Sequence, residues 1–333
     1  MELANNFDLI IVGGGPIGIA CALACKSNNL SYLVIEKGCL VNSLYNYPQQ
    51  MTFFSTSEKL EIGNIPFVCV HPKPNRNEAL EYYRRVSKLA DINIKLFEEV
   101  REIKELEEKT ENYTFLIHSN KGSYLTKNVI IATGFHDIPY LLNVPGEYLP
   151  KVTHYYKDPH FYAFQNVAIV GANNSAVDAA LETWRKGANV TMIIQNAEIG
   201  PRVKYWARPD IVNRIQEGSI KALYNSNIIS ISEKFITVNT PDGIIEIPND
   251  WVIAATGYQP NLGFLSAIGI NLANDETKKP EYNESTHETN IKGVYLAGVI
   301  CGGMNTHSYF IENSIVHADI IMKDIVNKKN RAS

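Results

Sequence analysis

The sequence predicts an α/β chain of two Rossmann-like, three-layer dinucleotide-binding domains, each with a β-meander. Three observations predict it. A glycine-rich turn joins an apolar strand to an apolar helix near the start of the chain. A second strand, turn and helix of the same kind begins at Gln165. An Ala-Thr-Gly triplet closes each copy, at Ala132–Gly134 and at Ala255–Gly257. A repeat of domain size, built on one supersecondary plan, reads as two related domains.

The first copy opens with Leu9–Val12, an apolar run of the kind a parallel strand buries on both faces. It leads into Gly13-x-Gly15-x-x-Gly18. Gly13 permits the tight turn, Gly15 lets the backbone approach a pyrophosphate, and Gly18 lets helix and strand pack closely. The helix that follows offers unpaired N–H groups and its positive dipole end to the phosphates. A second strand, Tyr32–Ile35, ends in Glu36, placed to bond ribose hydroxyls. Residues 37–57 are aperiodic and rich in aromatic, amide and hydroxyl groups; loops of that length inside a domain are usually functional. A helix is expected over Asn77–Ala90, with Leu80, Tyr83, Val86 and Leu89 facing inward. A strand over Ile92–Phe97 follows, then a meander over Val100–Leu106, Tyr113–Ser119 and Tyr124–Ala132.

The second copy places a strand at Gln165–Val170 and a loop and helix through Gly171, Asn173, Asn174, Ser175 and Ala176. A strand over Asn189–Gln195 and a meander over Asn227–Ala255 complete it. Gly293–Ile300 reads as a last buried strand and His307–Asn327 as the last helix. Their position after the second copy implies a return to the first domain: residues 1–139 plus 259–333, with 140–258 inserted.

The first loop keeps all three glycines and its acid, so it is assigned FAD. In the second, Asn173 stands for the middle glycine and Ala176 for the last. Gln195 and Asn196 replace the strand-end acid, and Arg202, Lys204 and Arg208 follow. A cation near the ribose favours the 2′-phosphate, so this site is assigned NADPH, with Thr256 and Gly257 at its closing triplet. A flavin in one site and a nicotinamide in the other imply hydride transfer between two rings that the protein holds face to face.

Composition narrows the field. The chain has 333 residues, 45% hydrophobic and 20% charged, with a net charge of −4. That length suffices for two cores, and without a long basic run nucleic acid is not an expected partner. No apolar stretch reaches membrane-span length, and the first strand begins too early to leave room for a signal peptide. Five cysteines without framework spacing fit a reducing cytoplasm. HExxH and GxSxG are both missing, so metal and acyl-transfer chemistry are not expected.

Long non-repetitive segments carry a resemblance that covers essentially the whole chain: Val41–Pro48, Met51–Gly63, Tyr82–Arg85, Val203–Trp206, Pro209–Ile211 and Arg214–Gly218. On these residues the sequence closely resembles the YpdA-type group, described as bacillithiol disulfide reductases, within the thioredoxin-reductase-like pyridine nucleotide-disulfide oxidoreductases. The resemblance implies FAD and NADPH, a cytoplasmic homo-oligomer (dimer or tetramer), and reduction of a low-molecular-weight thiol disulfide. It implies that Gly13, Gly15, Pro16, Ile17 and Gly18 hold FAD together with Glu36, Lys37 and Asn42. Thr52 and Phe54, in the Met51–Ser55 segment, would lie beside the flavin ring. Thr133, Gly134, Gly298 and Val299 would complete the site, with the last helix aimed at the ring's pyrimidine end.

Three departures bear on the electron path. No CxxC precedes the second loop, where the chain reads Val152–Pro159 without cysteine, and Cys39 keeps at most one sulfur of a CxxxxC pair. Ile17 stands where YpdA-type proteins of Gram-positive bacteria carry the cysteine thought to be the redox sulfur. Val299 stands where the broader superfamily has aspartate. Cys301 and Cys39 are therefore the candidate sulfurs, and His154 and His307 the candidate proton donors. A thiol-independent flavin reductase of ferredoxin, quinone or oxygen and a non-catalytic NADPH sensor are the alternatives.

Overall fold

A computed structural model describes residues 6–106 and 113–332. Residues 1–5, 107–112 and 333, which the expected domain boundaries also take in, lie outside the described residues. The chain divides into two compact units. One comprises the chain up to Tyr45, Ser55–Ile138 and the chain from Gln259; the other comprises Asn46–Phe54 and Pro139–Tyr258. Asn46–Phe54 counts with the second unit, whereas the expected boundaries put it in the first. Its contacts show why: the Phe54 ring stacks on Trp206 at 5.9 Å, and the Gln49 N–H donates to Lys157 O at 2.9 Å.

The first unit begins with β1 (Asn6–Val12), α1 (Pro16–Ser27) and β2 (Tyr32–Ile35). Next come α2 (Arg76–Leu89), β3 (Ile94–Lys95), β4 (Val100–Glu105), β5 (Phe115–Ser119) and β6 (Ser123–Ile131). Their sheet runs β3-β2-β1-β6-β5-β4. It is parallel from β3 to β6 and antiparallel through the meander. The last strand of the chain, Val294–Leu296, pairs parallel with Val129–Ile131 of β6. The long β6 thus serves the meander with its first half and the returning chain with its second. Leu9, Ile10 and Ile11 are fully buried, as an apolar strand covered on both faces requires.

Helix α2 starts where a capping box sets it. The Asn75 side chain accepts the Glu78 N–H at 3.0 Å, and the Glu78 carboxylate accepts the Asn75 N–H at 2.8 Å. The strand expected over Ile92–Phe97 shrinks to β3, because Asp91 and Phe97, with φ of 47° and 55°, leave the extended region on either side. The last helix also starts later than His307. Asn313 accepts the Phe310 N–H at 2.7 Å and donates to Ser308 O at 2.9 Å, fixing a non-helical entry. Helical structure then covers Ile311–Ser314 and Val316–Ala332.

The second unit holds β7 (Val152–Thr153), β8 (Asn166–Val170), α3 (Asn174–Arg185), β9 (Asn189–Ile193), α4 (Arg208–Gln216) and β10 (Lys221–Leu223). They are followed by β11 (Asn227–Ile231), β12 (Phe235–Thr240), β13 (Gly243–Pro248) and β14 (Trp251–Ala254). A parallel sheet runs β10-β9-β8-β14-β7, while β11, β12 and β13 form a separate antiparallel sheet. The stretch read as one meander therefore splits. Strand β14 is apolar, with Val252, Ile253 and Ala254 buried, and returns to the parallel sheet; β13 is mostly exposed. The buried Lys151 ties the two sheets' loops together, donating to the carbonyls of Ser232, Glu233 and Asn249.

Candidate dinucleotide sites

In the first unit the turn from β1 to α1 is built by close backbone approach. A Cβ on Gly13, whose φ is +109°, would stand 2.5 Å from Ala132 O, and one on Gly18 would stand 1.9 Å from Gly13 O. Gly15 is different. A Cβ there would meet nothing within 4 Å. Gly15 is the N-cap of α1, has extended backbone, and supplies no side-chain cap to the helix's first N–H groups. The turn therefore leaves open space and unpaired donors at the helix start, with Pro16 at the first helical position, where no N–H is needed.

Glu36 closes the turn from the end of β2. Its two carboxylate oxygens accept the Gly14 N–H at 2.7 Å and the Gly38 N–H at 2.8 Å. Burial pushes its carboxyl above the usual range, against the pull of those two bonds. Lys37 pairs with Asp137 at 2.7 Å. The Asn42 side chain occupies the space beside Gly38, and the Cys39 thiol donates to it at 3.6 Å. Gly134 has φ +71° and open space at its Cβ position; Thr133 precedes it, half-buried. The side chain of Ile17 packs against Gly298, 3.4–3.6 Å from the position of a Cβ there, and Val299 follows in the turn Gly298–Gly302. Thr52 and Phe54, expected with this group, lie in the segment that counts with the second unit.

In the second unit the β8–α3 turn repeats the plan in altered form. A Cβ on Gly171 would stand 2.7 Å from Ala255 O and 3.2 Å from the Ala176 methyl, so Ala176 fits where the first loop needs glycine. Asn173 is the N-cap of α3, and its side chain fills the space over Gly200. Asn174 reaches the following loop: it accepts the Lys204 N–H at 2.8 Å and donates to Arg202 O at 3.2 Å. Sequence-distant Asn174, Arg202 and Lys204 are thereby drawn to one turn, with Ser175 beside them in α3. Thr256 Oγ1 donates to Tyr140 O at 2.5 Å, and Gly257, with φ +94°, follows it.

The three cations after β9 are not equivalent. Lys204 is buried and pairs with Asp178 at 2.7 Å, a partner the sequence did not indicate. Arg208 donates to the carbonyls of Ile199 and Gly200. Arg202 has an exposed side chain. Thr52, Asp178, Arg185, Lys204 and Trp206 also line a concavity of about 160 Å³ within this unit.

The redox candidates separate as well. Cys301 is fully buried, and burial drives its thiol far above the ordinary range. Cys39 is half-buried, with its thiol also raised by burial. Cys21 and Cys25 sit in the core face of α1. All five cysteines are free thiols. His154 Nε2 stands 3.1 Å from the buried Glu147 carboxylate but outside hydrogen-bond geometry. His307 is exposed. Cys301 has company that the sequence reading missed: His287 and His317, both buried, lie with their Nδ1 atoms 3.8 Å and 4.0 Å from its sulfur. No local spacing announces that cluster, because its members come from three separate elements.

Comparison with known proteins agrees with this geometry. The chain is 44% identical over 322 residues to the bacilliredoxin reductase Bdr of Bacillus subtilis (strain 168), covering 96% of this chain and 98% of that one. It superposes on the bacillithiol disulfide reductase Bdr (YpdA) from Staphylococcus aureus with a TM-score of 0.92 at 40% identity, over 98% and 99% of the two chains. A thioredoxin reductase from T. acidophilum shares the fold, with a TM-score of 0.75 at 21% identity over 98% and 99% of the chains. Residues 10–298 match the pyridine nucleotide-disulphide oxidoreductase family, and the chain belongs to that family.

Proposed function

We propose that the protein is an NADPH-dependent FAD flavoprotein that reduces the disulfide of bacillithiol or a closely similar low-molecular-weight thiol. The overall reaction is NADPH + H⁺ + RSSR → NADP⁺ + 2 RSH. The 40% identity to the Staphylococcus aureus bacillithiol disulfide reductase, over 98% of this chain, carries this reading. The first turn supports the cofactor. Gly15 leaves open space beside the uncapped start of α1, which is what a bound pyrophosphate needs, and Glu36 retains lone pairs for ribose hydroxyls. Bound FAD supplies the two-electron relay between NADPH and the disulfide. Gly13 and Gly18 hold the turn's shape, Lys37 and Asn42 flank it, and Gly134, Gly298 and Val299 border the same unit's cofactor surface. In the second unit Gly171, Asn173, Asn174 and Ser175 take the NADPH pyrophosphate, and Arg202 takes its 2′-phosphate.

No protein disulfide takes part in this reading. Ile17 puts a hydrocarbon where a sulfur would be needed, and the buried thiol of Cys301 is held protonated. The reading extends to a homo-oligomer working in a reducing cytoplasm, which the five free thiols fit. No helix among the described residues is long and apolar enough to cross a membrane.

The name of the Bacillus subtilis relative favours a second acceptor, the disulfide of a bacilliredoxin. NADPH oxidation by the purified protein, followed with bacillithiol disulfide alone and with bacilliredoxin added, tests both. Release of two thiols per NADPH with the small disulfide alone is expected. Turnover only when the protein acceptor is present would replace the first reading with the second.

A further inference from the structure

A buried histidine pair stands behind the turn Gly298–Gly302. The Gly298 N–H donates to His317 Nδ1 at 3.1 Å, and Leu296 O lies 3.0 Å from His287 Nδ1. These bonds fix both tautomers. His317 must present a bare Nδ1 to an amide donor and carry its proton on Nε2, whereas His287 must carry its proton on Nδ1 to meet a carbonyl. The rings lie 4.1 Å apart, and Tyr309 packs edge-on against His317 at 5.4 Å. With Cys301, the two histidines form a group whose ligand atoms all lie within 4.8 Å, the composition of a soft-metal site. Both Nδ1 atoms near the sulfur are already engaged by the backbone, so a cation there would have to break two buried hydrogen bonds. The cluster is better suited to holding the backbone than to holding an ion.

Gly298 is where that hold matters. Its φ of +82° is open to few side chains, and the Ile17 side chain covers its face. His317 bonds its N–H from Val316–Ala332, the last helix of the chain. We infer that His317 is a positioning residue for FAD: by accepting the Gly298 N–H it fixes the Gly298–Gly302 turn in the conformation that receives the cofactor. This rests on the FAD reading above. Burial lowers His317 to about 3, so its Nδ1 stays an acceptor throughout the physiological pH range.

Asparagine can set its Oδ1 where His317 has Nδ1; leucine cannot accept at all. FAD affinity by fluorescence titration of the apoprotein, and exchange of the Gly298 amide in that apoprotein, are to be measured for wild type, His317→Asn and His317→Leu. A protected Gly298 amide is expected in wild type and His317→Asn, with FAD affinities within about twofold of each other. His317→Leu is expected to bind FAD about tenfold more weakly and to lose the protection. Equal affinity and protection in all three, or His317→Asn as weak as His317→Leu, would overturn the proposal, as would stoichiometric bound metal that Cys301→Ser abolishes. Should His317→Leu not fold, the wild-type amide decides. Unprotected Gly298 in a protein that binds FAD refutes this role alone, whereas no FAD binding by wild type refutes the FAD reading with it.

Discussion

Gly18 sits so close to Gly13 that a single added carbon at residue 18 would stand 1.9 Å from the Gly13 carbonyl oxygen. Two residues of one turn thus use their missing side chains to pack backbone on backbone. Gly15, between them, has no such neighbour.

The contrast separates folding from binding. Gly18→Ala should destabilise the first unit by about 1–3 kcal/mol through backbone displacement. Gly15→Ala has an ordinary φ of −73° and free space, so its unfolding midpoint should match wild type while FAD affinity falls. Urea denaturation of the apoproteins beside FAD titration checks both; a destabilised Gly15→Ala would contradict the open turn.

Nucleotide preference should rest on Arg202. Lys204 is tied to Asp178 and Arg208 to two carbonyls, so neither is free to turn outward without breaking a bond. Arg202→Ala should raise the KM for NADPH about tenfold, the scale of a lost charge-assisted hydrogen bond, and leave that for NADH near wild type. Lys204→Ala should lower stability instead. An equal loss with NADPH and NADH in Arg202→Ala would remove Arg202 from the 2′-phosphate.

The thiols should react in order of exposure. Cys301 and Cys25 are buried with strongly raised thiols, and Cys21 is pushed up to about 12 by burial. Brief alkylation of the native protein should label Cys69 and Cys39 and spare these three. Rapid native labelling of Cys301, read by peptide mass, would restore it as a redox sulfur.

Acid should destabilise the fold through two buried histidines. Burial lowers His136 to about 4 and His317 to about 3. Their unfolded forms titrate near 6.5, so below that pH the unfolded chain binds protons that the folded chain refuses. Stability is therefore complete above pH 6.5 and falls as pH drops toward 4, by about 1.4 kcal/mol per pH unit for each histidine in that window. His136→Asn should reduce the slope of the urea midpoint against pH between 6.5 and 4.5. An unchanged slope would mean that His136 is not held neutral.

Local physics made the scaffold legible. An apolar run, three spaced glycines and a strand-end acid each act within a few residues, so β1, α1, β2 and Glu36 could be read directly from sequence. The second loop was as readable because Ala176 does locally what Gly18 does. What resisted reading depends on distant partners. Nothing near Lys204 reveals that Asp178 holds it, nor does anything near Cys301 reveal His287 and His317. Phe54 was read with its sequence neighbours, yet its ring finds Trp206, about 150 positions away. The late start of the last helix turns on Asn313 bonding back to Phe310, a capping choice that helical periodicity does not register.

The most direct measurement is an anaerobic two-step titration. NADPH should bleach the flavin absorbance of the purified protein, and bacillithiol disulfide added afterwards should restore it with two thiols appearing per flavin. Bleaching without recovery would contradict the disulfide-reductase reading, and no bleaching at all would contradict electron transfer from NADPH to FAD.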